Sequence, residues 1–510
     1  MTKTYAGQPG GIAARLMAIA ERFAAMAASG AAIGACGAAL ALLGCGGGGP
    51  CKGAQCPATL TLLASPGSAG RIDSLLPAIE VRLTRDGQPI ASAPIAVSAP
   101  LGVAIAPQSS TTDADGRALV MVTLPRTPGP VALQLSAEDA PPLALSVSSV
   151  APAAGTILTA VNVTHLRNMP PPGLGGAGTA LSIGGPQSLV VAADQTLYFS
   201  DEDENVVHAL LPSGEAAPFA GTTAVGNAGD GGPALRATLN NPDGLALDEA
   251  RHALYVVSNL DTVRRIDLQS GVITRYAGGG SATSAPFGDG GPATDATLSR
   301  AFNLSVGPDH ALYIEDAARA VIRRVDGDTG VISSFLPVGP CSGSTPHLSA
   351  CGQGCAMAWD SSGDLYVSGF VCDAPGIQYG GILQVVPATG GSSIAAGALS
   401  GSSADGQPAA ATDIGHPVGL AFDGAGNLYF STLEDSSGAA KHQVRRIDQV
   451  TGRVSTIAGV GPGGSSGDGG PAVSALLDGP FALAFDPEGN LYLSEILGFD
   501  LRVIWGAGSR

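Results

Sequence analysis

Strict alternation of apolar and polar positions, the signature of half-buried strands, recurs along most of this chain. In AIEVRLTRDGQPI, Ile79, Val81 and Leu83 fall on one face of a strand that turns at Asp86-Gly87. The segments PIAVSAP, RALVMVTL and VALQLSAE continue the period, separated by Pro, Gly and Ser. Residues 57–152 are therefore expected to form a small β-sandwich, which has no Cys–Trp–Cys core and no residues set up for chemistry.

From residue 153 onward the pattern itself repeats. Leu-Tyr recurs six times, with its tyrosine at Tyr198, Tyr255, Tyr313, Tyr366, Tyr429 and Tyr492, spaced 57, 58, 53, 63 and 63 residues apart. Just before each tyrosine, two large apolar residues flank a third position that is small in five of six copies, as in Leu245-Ala246-Leu247 and Leu483-Ala484-Phe485. Alternating large and small residues suit an innermost strand, where sheets converge on an axis and one face has little room. A third strand follows in TVRRIDLQSG, VIRRVDGDTG and QVRRIDQVTG, and a fourth in VITRYAG, VISSFLP, SSIAAGA and VSTIAGV. Four strands in each of six units predict an all-β chain whose residues 153–510 form a six-bladed β-propeller. The sixth unit ends at LRVIWGAGSR after three strands, and GTILTAVNV, residues 155–163, has the pattern of the missing fourth. That segment is expected to complete the last blade and leave no open edge.

These units resemble NHL repeats, most clearly in NPDGLALDEARHALYVVSNLDTVRRIDLQSGVITRYAG and GPFALAFDPEGNLYLSEILGFDLRVIW. The fourth unit departs from the pattern and carries cysteines instead. TTDADGRALVMV, within residues 57–152, resembles bacterial Ig-like domains of the invasin/intimin kind, which implies a stalk or spacer. The NHL resemblance implies an interaction platform. Its enzymatic counterparts, lyases and lactonases, hold a metal in the central channel through several histidines or through Glu, Asn and Asp.

GDGGPA occurs at residues 229–234, 288–293 and 467–472, with ADGQPA at 404–409. A phosphate loop would need Lys and Ser/Thr after its glycines. A calcium site would need several more oxygens than one aspartate supplies. The motif instead reads as the connector between blades: glycines reverse the chain, proline begins a helical turn, and a Leu or Ile six residues after the proline tucks beneath. Arg264-Arg265, Arg323-Arg324 and Arg445-Arg446 repeat in phase beside Asp267, Asp326 and Asp448, which points to salt bridges between strands.

The first 44 residues change the compartment. Lys3, Arg15 and Arg22 precede a small-residue apolar run ending Leu42-Leu43-Gly44-Cys45, a secretory signal that resembles a bacterial lipobox. Cys45 is the lipidation candidate and residues 45–56 a glycine-rich tether. Gly46 after the cysteine resembles the outer-membrane sorting signal, so the expected location is an outer-membrane lipoprotein, held to the membrane by lipid alone. In an exported chain Cys51, Cys56, Cys341, Cys351, Cys355 and Cys372 are disulfide candidates, and three pairings of the last four stay open. Zinc is the rival reading for the Cys351/Cys355 spacing.

A net charge of −17 argues against nucleic acid, which requires a basic footprint. No cofactor, metal site or catalytic residue is assigned, because no nucleophile elbow, triad or acid–base pair is recognisable. Asp201–Glu204 is read as a solvated acidic loop, with a site for a cation or a basic partner as its alternative. The binding candidates are Gln187, Asp243, Phe302, His416 and Phe481, which fall at the start of inner strands and so at one propeller face. The expectation is a monomeric, non-catalytic binder of a protein or glycan at that face. The alternative is a lactonase- or lyase-type metal enzyme with its site in the channel.

Overall fold

The computed structural model describes residues 57–508 apart from short segments, the longest being 162–175. The expected signal and tether, with Cys45, Cys51 and Cys56, lie outside the described residues.

Residues 58–150 form two five-stranded sheets that share one apolar core containing Ile79, Val81, Leu83, Ile95, Leu133 and Leu135. Asp86 and Gly87 both take positive φ at the turn predicted for them, as a tight hairpin requires. Leu143–Val150 pairs antiparallel with Gly129–Ser136 and parallel with Ala69–Arg71.

Beyond residue 155 the described residues form six sheets of four or five strands in a propeller-like arrangement. Their first strands are Pro186–Val191, Leu245–Asp248, Ala301–Val306, Met357–Trp359, Pro417–Phe422 and Pro480–Phe485, and we number the sheets 1 to 6 in that order. Each first strand packs on that of the next sheet, and Pro480–Phe485 packs on Pro186–Val191 to complete the cycle. Sheet 6 takes its outer strand from the beginning of the segment: Ile157–Val161 pairs antiparallel with Asp500–Ile504. The closure expected from the sequence is thus observed.

The repeated tyrosine staples neighbouring sheets. Tyr313 packs on Trp359, Tyr366 on Phe422 and Tyr429 on Phe485, with ring centroids 4.8–5.0 Å apart. Each of these partners is the second large residue of the next sheet's inner strand, so the aromatic contact sets the spacing between sheets.

The GDGGPA connectors behave as predicted in position and differently in detail. Leu239, Leu298, Ile414 and Leu477 are buried beneath them. Each proline caps a 3₁₀ turn from outside, with extended ψ near 130°, rather than occupying its first residue. Positive φ falls on the first and third motif residues, Gly229 and Gly231, and not on the second of the paired glycines, Gly232. A Cβ on Gly229 would lie 2.7 Å from the Ala237 Cα, which excludes a side chain there without local movement. The N–H of the third residue bonds the outer strand of the following sheet, at Ile273, Ile332, Val454 and Ile157. Ile157 makes this bond exactly in phase, so the N-terminal strand occupies a true fourth-strand place.

The motif aspartate has a partner that the sequence did not reveal. Asp230, Asp289, Asp405 and Asp468 bind Arg264, Arg323, Arg445 and Arg502, whose guanidinium-bearing side chains are 1–3% exposed. The neighbouring arginines Arg265, Arg324 and Arg446 pair along their own strands with Asp267, Asp326 and Asp448. The in-phase Arg-Arg pairs therefore divide into a buried clamp on the connector and an outer pair at the strand end.

Sheet 4 replaces the connector by covalent bonds. Cys341 bonds Cys372, and Cys351 bonds Cys355, which resolves the open pairing and leaves no free thiol there for zinc. The cross-link ties His347–Ala350 to the extended strand Leu365–Ala374, with which it pairs. Such bonds persist in an oxidising compartment, that is, outside the cytoplasm.

Candidate functional site

The first strands surround a cavity of about 590 Å³ that every sheet helps to line. Leu189, Leu245, Leu304, Met357, Leu420 and Leu483 are contributed one per sheet, but the wall presents somewhat more polar than apolar surface, with Ser188, Asn303 and Ser305 beside them. Glu249 and Asp486 are the ionisable residues among its described lining.

Carboxyl groups gather by the start of the inner strands in sheets 1 to 3. Gln187 Nε2 donates to Glu202 Oε2 at 2.6 Å, and Asn241 Nδ2 to Glu202 Oε1 at 3.2 Å. Asp243 is partly open to solvent but mostly enclosed by protein; burial, then Glu202 and Glu315, hold its carboxyl well above the usual range. Glu315 is almost fully buried, and one oxygen accepts from Asn303 Nδ2 at 3.1 Å and from the Cys355 N–H at 2.9 Å. Its other oxygen, Oε1, is buried without a hydrogen-bond partner. Burial pushes the Glu315 carboxyl up to about 7, with the two hydrogen bonds acting in the opposite sense.

Glu315 was missed by motif reading, although an in-phase comparison contains the signal. Its position after Leu-Tyr-x holds Ser200, Ser368, Ser431 and Ser494 in four other sheets. Each of those serine hydroxyls accepts an inner-strand N–H: Ser188, Ala356, Gly419 and Ala482. In sheet 3 a carboxyl stands at this position and brings a titratable group to the side of the inner strand.

The five residues singled out at the strand starts are not brought into one patch. Gln187 and Asp243 belong to the carboxyl cluster. Phe481 is buried and lines the central cavity. Phe302 lies beneath Arg300, 5.4 Å from the guanidinium carbon, and faces a separate cavity of about 220 Å³ shared with Glu315 and Cys351. His416 is buried rather than at an open mouth. It stacks on Phe370 with centroids 4.7 Å apart, and burial lowers its imidazole pKa against the opposing effect of Glu434.

Two groups of three described residues have ligand atoms close enough to share a metal ion, Glu315/Cys351/Cys355 and Asp201/Glu204/His208. In the first, both sulfurs are consumed by the disulfide. The second shows that Asp201–Glu204 is solvated only in part: Asp203 is exposed, but Asp201 is fully buried and the Glu204 side chain is 12% exposed.

No family model matches this chain. In sequence, 272 residues are 27% identical to Protein Suppressor of quenching 1, chloroplastic, of Arabidopsis thaliana, covering 51% of this chain and 24% of that protein. A stretch of 292 residues is 27% identical to mouse (Mus musculus) Teneurin-1, covering 54% of this chain and 8% of that one. The chain thus spans less than a quarter of the length of these curated relatives. In structure, a protein of unknown function from Bacteroides thetaiotaomicron aligns with a TM-score of 0.50 at 15% identity, covering 88% of this chain and 98% of that one. That likeness is one of fold.

Proposed function

We propose that this chain is a lipid-anchored outer-membrane protein whose propeller binds a protein or glycan partner without catalysis. In this reading residues 1–44 are the signal, Cys45 carries the lipid, residues 45–56 form the tether and residues 57–152 an Ig-like stalk. Residues 153–510 are a six-bladed NHL-type propeller, with Gln187, Asp243, Phe302, His416 and Phe481 contributing to or supporting the binding face.

The central cavity carries the proposal. Every sheet contributes to its wall, which mixes aliphatic side chains with neutral polar groups such as Ser188, Asn303 and Ser305, and its ionisable lining among the described residues is limited to Glu249 and Asp486. A concavity that combines aliphatic side chains with convergent polar groups is suited to holding a ligand. It supplies few groups for acid–base or metal chemistry. The nearby carboxyls favour a basic peptide segment or the hydroxyls of a glycan.

The test is capture from envelope extracts by the immobilised mature chain, with Asp243→Asn and Phe481→Ser as comparisons. A defined partner captured by the wild type and lost in both folded variants supports the reading. Equal capture by all three overturns it.

The enzymatic reading, a lactonase or lyase, draws on a different observation. Glu315 and Asp243 carry strongly perturbed carboxyls near the start of the inner strands, the type of group that active sites employ. Metal-dependent lactone hydrolysis abolished in both Glu315→Gln and Asp243→Asn would replace the binding proposal.

A further inference from the structure

The buried clamp of sheets 2, 3, 5 and 6 is altered in sheet 1. Strand register places His208 opposite Phe199, where Arg264, Arg323, Arg445 and Arg502 stand opposite Val256, Ile314, Phe430 and Leu493. Asp201 likewise corresponds to Asp316 of sheet 3 and Glu495 of sheet 6, which lie 3.4 and 3.9 Å from Arg323 and Arg502. Sheet 1 thus keeps the buried acid but loses the guanidinium. It also has no motif aspartate, because residues 155–193 contain neither Asp nor Glu.

Glu204 supplies a second carboxylate instead. Its Oε2 lies 3.7 Å from His208 Nε2. The His208 side chain is 1% exposed, stacks on Phe199 at 5.0 Å, and has no hydrogen-bond partner on either ring nitrogen. Asp201 is oriented by three backbone N–H groups, from Gly184, Gly185 and Glu204. About four lone-pair sites are available on a carboxylate, so one stays available for a further partner. One ligand atom from each of the three residues lies within 4.8 Å of the other two.

The Asp201 and Glu204 carboxyls face one buried imidazole, no described arginine pairs with either, and a buried carboxylate without a balancing cation is costly. At the equivalent place in sheets 3 and 6 an arginine supplies the balancing charge. We propose that in sheet 1 it is supplied by a divalent transition-metal ion of the zinc type, bound by Asp201, Glu204 and His208. Mixed imidazole and carboxylate ligation suits such ions, and three protein ligands leave a fourth position for water. The ion would hold the turn between the second and third strands of sheet 1 as the arginine clamps hold sheets 2, 3, 5 and 6.

The experiment uses the full chain without an oligohistidine tag, stripped with chelator and titrated with Zn²⁺ against a chromogenic competitor, with thermal unfolding recorded in parallel. The expected result is one Zn²⁺ per chain and a raised melting temperature. Affinity should fall roughly a hundredfold or more in Glu204→Gln and His208→Gln, since the loss of even a supporting neighbour costs about 10–100-fold. His208→Arg rebuilds the arrangement of sheets 3 and 6; it should fold and melt independently of Zn²⁺, which separates lost ligation from lost folding. Absence of stoichiometric Zn²⁺ on the wild type overturns the proposal, as does a Zn²⁺-dependent melting temperature in His208→Arg. Asp243→Asn and Glu315→Gln should leave the stoichiometry unchanged. If these two abolish binding while Glu204→Gln does not, the ion belongs to the channel and this proposal fails on its own, separately from the binding function.

Discussion

Asp468 pairs with the buried guanidinium of Arg502 at 2.6 Å across 34 residues of chain. Its second oxygen accepts the Thr159 backbone N–H at 2.9 Å. One carboxylate of the GDGGPA connector thus binds two adjacent strands of sheet 6, including the strand contributed from the N-terminal side. Asp289 and Asp405 do the same in sheets 3 and 5, where they accept the N–H groups of Ser334 and Thr456.

Removing one partner of such a clamp leaves a buried charge uncompensated. Asp468→Ala should cost about 2–3 kcal/mol in urea unfolding, below the ~3–5 kcal/mol of a fully enclosed pair because Asp468 is 41% exposed. Combining it with Arg502→Met should recover part of the loss, giving a favourable coupling energy in a double-mutant cycle. Strict additivity would show that the pair contributes nothing.

Closure by Ile157–Val161 predicts dependence on a short segment remote from the strand it completes. Ile157 is fully buried against sheet 6, so Ile157→Ala should destabilise by about 2–5 kcal/mol. Deleting residues 153–165 should abolish the cooperative thermal transition of the propeller. An unchanged sharp transition in the truncated chain would refute the closing role.

Glu315 makes stability fall as pH rises. Its folded-state carboxyl titrates at about 7, above its ordinary 4.5. Between those values the folded state binds more protons than the unfolded one, and stability declines with pH. Asp243 acts in the same direction. Denaturant midpoints taken from pH 4.5 to 7.5 should show a loss on the order of 3 kcal/mol or less, and Glu315→Gln should flatten the curve. A wild-type midpoint that rises steadily over this range would contradict the assignment.

The two disulfides should contribute unequally. Cys341 and Cys372 are 31 residues apart, Cys351 and Cys355 only 4. Chain-entropy scaling gives roughly 3–4 kcal/mol for the long loop and about 2 for the short one. Replacing Cys341 and Cys372 by serine should therefore lower the melting temperature more than the equivalent change at Cys351 and Cys355, as read by differential scanning calorimetry. The reverse order would show that the short bridge supports packing beyond its loop.

Repetition made the architecture legible before any coordinates. Side-chain period two reports the buried face of each strand, and six in-phase tyrosines disclosed the unit length, the inner strands and the fourth strand at residues 157–161. What repetition cannot report is which charges meet across a connector. The GDGGPA aspartate reads locally as part of a turn, yet its partner lies 34 residues further on. The DEDEN run reads as a solvated loop, yet Asp201 is completely enclosed. His416 reads as a channel-mouth residue, yet Phe370 covers it. The burial of a polar group depends on the packing of two sheets against each other, and its protonation on every charge that packing brings near. Local periodicity carries the strands and their order; only the assembled ring decides where an acid is hidden, which cation balances it and what opens onto the axis.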